Sequence, residues 1–517
     1  MTNNRQNPSV VIIGAGMTGI LLAIKLKEAG ITNITVLEKK ESIGGTWREN
    51  TYPGIACDVP SHAYTYSFEP NPDWSSHFPN GREIHQYFEK VIHKYGVDTY
   101  IRYNEAVTSC VYNKENKTGS WTVKTEQGAT LQADLLFSAT GILHHPVIPN
   151  ITGRESFTGA MFHTARWDHS VDMKGKRIGV IGTGSSATQV IPQLIGLPGA
   201  DVSVFQRSPQ WIVKMEDRNF TDNEKLRFRN QPWRMKLIRK ISAFVYSQGT
   251  AALTGDSWFD RFQHRLMTWN AKRYLDSSVK DPELRAKLTP DYKLGCKRVV
   301  INSRLYDAIQ QPNAHLVTEG IEQIEANGIR TKDGKLHHLD AIVLATGFDA
   351  AAFMRPMEFV GKNNMSIEQA WKKKIQAYRS MFLPNFPNFF LMLGPNSPIG
   401  NQSVIEISEQ QTAYVLQLIN QWRAGKLPTI EVKSEALKQW AAMLKARMGK
   451  TVWTSGCQSW YLDADGDALA WPDTWNNWLK TMKEPELNDF VISADLPSET
   501  SSKPAMTVAT CTDKAMI

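Results

Sequence analysis

The feature that most limits what this chain can fold into is a strand–glycine turn–helix pattern that occurs twice. Val10-Val-Ile-Ile13 is a short apolar run that ends at Gly14-Ala-Gly16-Met-Thr-Gly19. An apolar helical pattern then runs through Leu26, and Ile34-Thr-Val-Leu-Glu38 reads as a second buried strand. The same order returns as Arg177–Ile181, Gly182-Thr-Gly184-Ser-Ser-Ala187 with helical texture to Ile195, and Val202–Phe205. In such a turn the first glycine permits the tight bend and the second lets backbone approach a pyrophosphate. The third position, where Ala187 is still small enough, lets helix and strand pack closely. The helix N-terminus adds amide donors for phosphate. The two turns lie 168 residues apart, far too long for a solenoid repeat. The expectation is an α/β chain with two Rossmann-like dinucleotide-binding domains.

The end of the second strand separates the two ligands. Glu38 stands 24 residues after Gly14, placed to accept hydrogen bonds from a ribose diol. The same count from Gly182 reaches Gln206, with Arg207 beside it. A carboxylate repels a 2′-phosphate, whereas a guanidinium pairs with it bidentately. FAD is therefore expected at the first turn and NADPH at the second.

The composition, 42% apolar and 21% charged, excludes collagenous, coiled-coil and wholly disordered chains. A surplus of 8 basic residues favours an anionic ligand and is too small to argue for nucleic acid. The five cysteines (Cys57, Cys110, Cys296, Cys457, Cys511) include no C-x-x-C, so no disulfide framework, dithiol pair or thiolate zinc site is expected, and no other metal motif stands out. The N-terminal MTNNRQNPS has no signal-peptide plan, and the apolar run Val10–Ile24 carries three glycines and is too short to span a bilayer. A cytoplasmic monomer or homo-oligomer without stable membrane insertion is the expectation.

Texture divides the chain. Residues 1–150 read as the first part of the FAD domain and 151–215 as the first part of the NADP domain. Residues 216–292, basic, aromatic and helix-favouring, read as a helical insertion in the second domain, which resumes over 293–347. Residues 348–495 are expected to return to the FAD domain with a loop covering the cofactor, and 496–517 to be disordered. Within the insertion, basic residues from Lys225 to Lys240 alternate with Leu226, Trp233, Leu237 and Ile238. Such a helix can lie on anionic membrane, but a solvated helical face is the plainer expectation.

Two longer motifs then carry a resemblance. Phe157-Thr-Gly159-Ala-Met-Phe-His163-Thr-Ala-Arg-Trp167-Asp168 fits F-x-G-x-x-x-H-x-x-x-W-(P/D) at every fixed position. Gly44-Gly45-Thr46-Trp47-Arg-Glu-Asn-Thr-Tyr52-Pro53-Gly54-Ile-Ala-Cys-Asp58 fits G-G-x-W-x-x-x-x-(F/Y)-P-G-x-x-x-D. From about Val10 to Trp471 the chain resembles the type I Baeyer–Villiger monooxygenases, FAD-containing and NADPH-dependent.

The resemblance implies insertion of one oxygen atom of O2 beside a ketone carbonyl, through a C4a-peroxyflavin, to give an ester or lactone from a small-molecule ketone. It implies that Asp58 and Arg298 are catalytic, with the arginine above the flavin. Lys297 is implied to help Arg207 hold the 2′-phosphate. Thr46 and Trp47 are implied to border the flavin, Ser185 to line the second nucleotide, and Trp460 to lie in a mobile loop over NADP. Phe157, Gly159, His163, Trp167 and Asp168 are implied to couple the domains. Sulfur or nitrogen oxidation is the alternative activity, and a nucleotide-sensing protein without turnover a third reading.

Overall fold

The computed structural model describes residues 5–114, 119–214, 217–398, 402–457, 459, 461–463 and 465–492. The segment 496–517 and Trp460 lie outside them.

Val10–Ile13 is fully buried and occupies the centre of a five-stranded parallel sheet. Across that sheet the order is Phe389–Leu391, Leu135–Ser138, Val10–Ile13, Ile34–Leu37, Ile101–Arg102. Strand side chains alternate between faces. Val10 and Ile12 accordingly pack among residues of the helices Met17–Glu28 and Val404–Arg423. Val11 and Ile13 meet Cys110, Trp121 and Val123 of an antiparallel sheet on the other side. Both faces being covered explains the unbroken apolar run.

The second parallel sheet repeats the plan. Its order is Ala314–Val317, Asp201–Phe205, Arg177–Ile181, Ala341–Leu344, Ala160–His163. Ile178, Val180, Val202 and Val204 pack with the helix Ser185–Ile195. Ile181, Phe205, Ile342 and Leu344 pack with Ile324 and Ile329 of the antiparallel strands Ile321–Glu325 and Gly328–Thr331. The whole second unit is threaded between Leu135–Ser138 and Phe389–Leu391, which are neighbours in the first sheet.

Between Asp201–Phe205 and Ala314–Val317 the chain forms the helices Asp222–Asn230, Trp233–Thr254, Trp258–Ser278 and Pro282–Leu288. Thr221 with Glu224, and Ser257 with Asp260, close reciprocal capping boxes at two of their starts. The Lys225–Lys240 stretch is mostly solvent-facing as expected, with Arg227, Arg229, Arg234, Lys236 and Lys240 exposed, and it departs from that at one cation. Arg239 turns inward, donating to the Thr65 carbonyl and at 2.9 Å to Glu409, while Leu226, Trp233 and Leu237 point outward.

One expectation is corrected by the cysteines. Cys296 and Cys457, 161 residues apart, form a disulfide with their Cα atoms 6.2 Å from one another. A bridge of that length in sequence leaves no spacing signature; only the fold brings the two segments to bonding distance. Cys57 and Cys110 are buried free thiols. No helix among the described residues is long and apolar enough to cross a membrane.

Candidate active site

The first glycine turn is held open by its neighbour strand. Gly14 has φ +102°, and a Cβ there would sit 2.8 Å from the Ala139 carbonyl oxygen. Gly182 repeats this at φ +115°, with the Ala345 oxygen 2.4 Å from a Cβ. Two Ala-Thr-Gly segments, Ala139-Thr-Gly141 and Ala345-Thr-Gly347, are thus the walls against which the two turns press. A Cβ on Gly19 would meet the Gly14 oxygen at 1.9 Å, and Ala187 is fully buried, as close helix–strand packing demands.

Two observations test whether the residues fit the nucleotides. Gly16 and Gly45 face one another with bare backbones, a Cβ on Gly45 lying 3.4 Å from the Gly16 Cα, so two main chains form a cradle that side chains would fill. A Cβ on Gly184 meets nothing within 4 Å, which leaves open space at the amino end of the helix Ser185–Ile195. Glu38 is buried and accepts from the Ala15 amide at 2.9 Å and the Lys40 amide at 3.1 Å, fixing its carboxylate beside the first turn. Thr46 begins the short helix Thr46–Glu49 after Gly45 (φ +51°), and the Trp47 indole donates to the Tyr64 hydroxyl at 3.1 Å.

At the second turn Gln206 is buried and donates to the Lys287 carbonyl at 2.7 Å, so it faces away from solvent. Arg207 is exposed. Lys297 reaches Ser208 at 2.8 Å, and its ammonium pKa lies below the ordinary value through burial, with Arg207 adding repulsion. Two neighbouring cations fit a 2′-phosphate.

Between the turns lies a charged pair. Arg298 donates to an Asp58 carboxylate oxygen at 2.7 Å and to the Ser185 hydroxyl at 3.3 Å. The guanidinium is about one-third exposed (32%), and Asp58 beside it holds its pKa above the usual value. Three further contacts frame this pair. Tyr246, on the insertion helix Trp233–Thr254, donates to the Asp58 carbonyl at 2.8 Å. Tyr52 donates to Gln189 at 2.8 Å, and Gln189 to the Ala56 carbonyl at 2.9 Å, tying the Gly44–Asp58 motif to the second domain. Tyr461 is buried, stacks on Trp453 at 5.0 Å, and has its phenol pushed up to about 12 by burial, with Arg298 pulling the other way. Tyr246, Gln189 and the Cys296–Cys457 bridge had no signal in the sequence; each joins segments that no local pattern links.

The Phe157–Asp168 motif lies away from the pair, at the edge of the second sheet. His163 is buried, accepts from the Ala165 amide at 3.0 Å, and packs on Phe348 with ring centres 5.6 Å apart. Trp167 packs edge-on to Phe162 at 5.0 Å. Gly159 is required because a Cβ would strike the Asp340 oxygen at 2.5 Å and the Phe157 ring. Asp168 is exposed and accepts from the Ser170 amide at 2.9 Å. Its neighbour His169 bonds Thr51 of the Gly44–Asp58 motif at 2.9 Å. Among the described residues no cluster of potential metal ligands occurs.

Two dinucleotide folds that share a carboxylate–guanidinium pair define a two-nucleotide flavoprotein oxidoreductase. A family model described as pyridine nucleotide-disulphide oxidoreductase matches residues 11–227. The chain is 42% identical over 465 residues to an uncharacterized monooxygenase of Mycobacterium tuberculosis, covering 90% of this chain and 92% of that one. It is 36% identical over 500 residues to a Baeyer–Villiger monooxygenase of Streptomyces coelicolor, covering 96% and 95%. The crystal structure of OTEMO in complex with FAD and NADP superposes with a TM-score of 0.81 at 26% identity, over 92% of this chain and 97% of the other. The chain belongs to the Baeyer–Villiger monooxygenases.

Proposed function

We propose that this protein is an FAD- and NADPH-dependent enzyme that inserts one oxygen atom of O2 beside the carbonyl of a small-molecule ketone, giving an ester or lactone. Gly14, Gly16, Gly19, Glu38, Thr46 and Trp47 would hold FAD. Gly182, Gly184, Ser185, Ala187, Arg207 and Lys297 would hold NADPH, with Trp460 in the covering loop. When bound and reduced, FAD supplies the oxygen atom taken from O2.

The observation that carries this reading is the 2.7 Å pair of Arg298 and Asp58 between the two turns. A guanidinium fixed there favours negative charge on oxygen, first on the attacking oxygen and then on the ketone oxygen as its carbonyl is attacked. Asp58 orients the guanidinium, and Tyr246 steadies Asp58 through its carbonyl. Phe157, Gly159, His163, Trp167 and Asp168 act through packing and main-chain contacts as a coupling between domains rather than on the substrate. NADPH supply makes the cytoplasm the place of action.

The test is product analysis with a ketone and a sulfide offered together under NADPH and air. Ester as the main product supports the reading. Sulfoxide alone, with the ketone recovered, would assign the protein to sulfur oxidation instead.

A further inference from the structure

The insertion hairpin carries an apolar surface that the site does not use. On the helix Trp233–Thr254 the outward row is Trp233, Leu237, Ile241 and Phe244, at spacings of four, four and three. The inward row of the same helix holds Met235, Ser247 and Thr250. On the helix Trp258–Ser278 the outward row is Trp258, Phe262, Leu266 and Trp269, opposite the buried Ala271 and Leu275. The two helices are an antiparallel hairpin: Gln263 of one bonds Gln248 of the other at 3.0 Å, and three residues connect them. Phe244 is 63% exposed and Trp258 is 73% exposed. One exposed apolar residue needs no explanation; two rows of them with helical spacing do.

Charge selects the occupant. From Asp222 to Ser278 the chain carries eleven Lys and Arg against five Asp and Glu, a surplus of six within a whole-chain surplus of eight. Lys236, Lys240, Arg265 and Lys272 are exposed on the same helices as the apolar rows. The guanidinium groups of Arg234 and Arg273 lie 5.0 and 5.2 Å from the ring centres of Trp233 and Trp269. A second copy of this chain would bring like charges face to face, and protein interfaces are depleted in lysine. Indole rings flanked by cations beside aliphatic side chains suit the boundary between lipid headgroups and acyl chains.

We propose that the Trp233–Ser278 hairpin docks peripherally on an anionic lipid bilayer. The apolar rows enter the headgroup boundary and the lysines and arginines meet lipid phosphates, without any segment crossing the membrane. The docking helix bears on the site from its other side, since its Tyr246 holds the Asp58 carbonyl.

The experiment is flotation of the FAD-loaded full chain with vesicles of phosphatidylcholine, alone or with about 30% phosphatidylglycerol. The expected result is at least about tenfold more floated protein on the anionic vesicles, falling steeply as salt rises. The variant F244S/W258S/F262S, with unchanged FAD content and melting temperature, should lose most of this binding. K236Q/K240Q should lose the preference for anionic lipid. Sedimentation velocity without lipid supplies the contrary case. A stable dimer that F244S/W258S/F262S converts to monomer, with no flotation of the parent chain, would assign the hairpin to a second copy and overturn the proposal. Absence of flotation by a monomeric parent chain would overturn it equally.

Discussion

Asp58 and Arg298 stand 240 residues apart in sequence and 2.7 Å apart in space, one at the end of the first domain's motif, the other where the insertion returns to the second domain. The pair also touches the second nucleotide helix through Ser185, at 3.3 Å. Arg298→Ala should keep FAD and NADPH binding and lower ester formation by about 10²–10³-fold, the usual loss when one stabilising donor is removed from a developing oxyanion. Steady-state rates, with flavin and NADPH binding measured separately, check it. Arg298→Ala with normal ester output would remove Arg298 from the chemistry.

Arg207 and Lys297 should set the preference for the phosphorylated nucleotide. Charge-assisted hydrogen bonds contribute about 1.5–3 kcal/mol each, so Arg207→Ala should raise the KM for NADPH by about 10–100-fold and leave that for NADH nearly unchanged. Equal effects on the two nucleotides would mean that Arg207 does not contact the 2′-phosphate.

How much of this was legible beforehand depends on the range of each interaction. The two glycine turns, Glu38 and Arg207 could be read because strand, turn and helix are contiguous and their periods differ. That Asp58 would meet Arg298 came only through the resemblance, since nothing local in either segment names the other. Tyr246 and Gln189 were missed for the same reason. The cysteines show the limit most clearly. Spacing without C-x-x-C argued against a disulfide framework, yet folding the insertion back places Cys296, next to Lys297-Arg298, against Cys457. In the basic stretch, sequence period alone does not tell which row of a helix faces the body, so the inward turn of Arg239 could not be read.

The bridge gives its own prediction. Intact-mass spectrometry of protein unfolded without reductant should show a mass about 2 Da below that after reduction, and peptide mapping should join Cys296 to Cys457. Identical masses would mean that both thiols are free.

Two buried histidines, His62 and His163, and the half-buried His144 shape the acid response. His62, His144 and His163 each have a pKa lowered to about 4, chiefly by burial, from an ordinary 6.5. They are neutral in the fold and take up protons when it opens. Their share of the stability should therefore be level above pH 6.5, fall between pH 6.5 and about 4, and be level again below, where ion-paired carboxylates such as Glu224 and Asp340, lowered to about 2, take over the loss. At about 1.4 kcal/mol per pKa unit, each contributes a loss on the order of 3 kcal/mol at the acid end. Thermal melts across that window check this, and a melting temperature that does not fall on acidification would contradict it.

The most direct test of the central claim is turnover of a ketone panel, such as cyclohexanone, 2-octanone and acetophenone, under 18O2 with NADPH. The account predicts an ester or lactone that carries one labelled oxygen, with one NADPH consumed per product. Recovery of unchanged ketones across the panel, with NADPH oxidised and O2 reduced only to hydrogen peroxide, would contradict it.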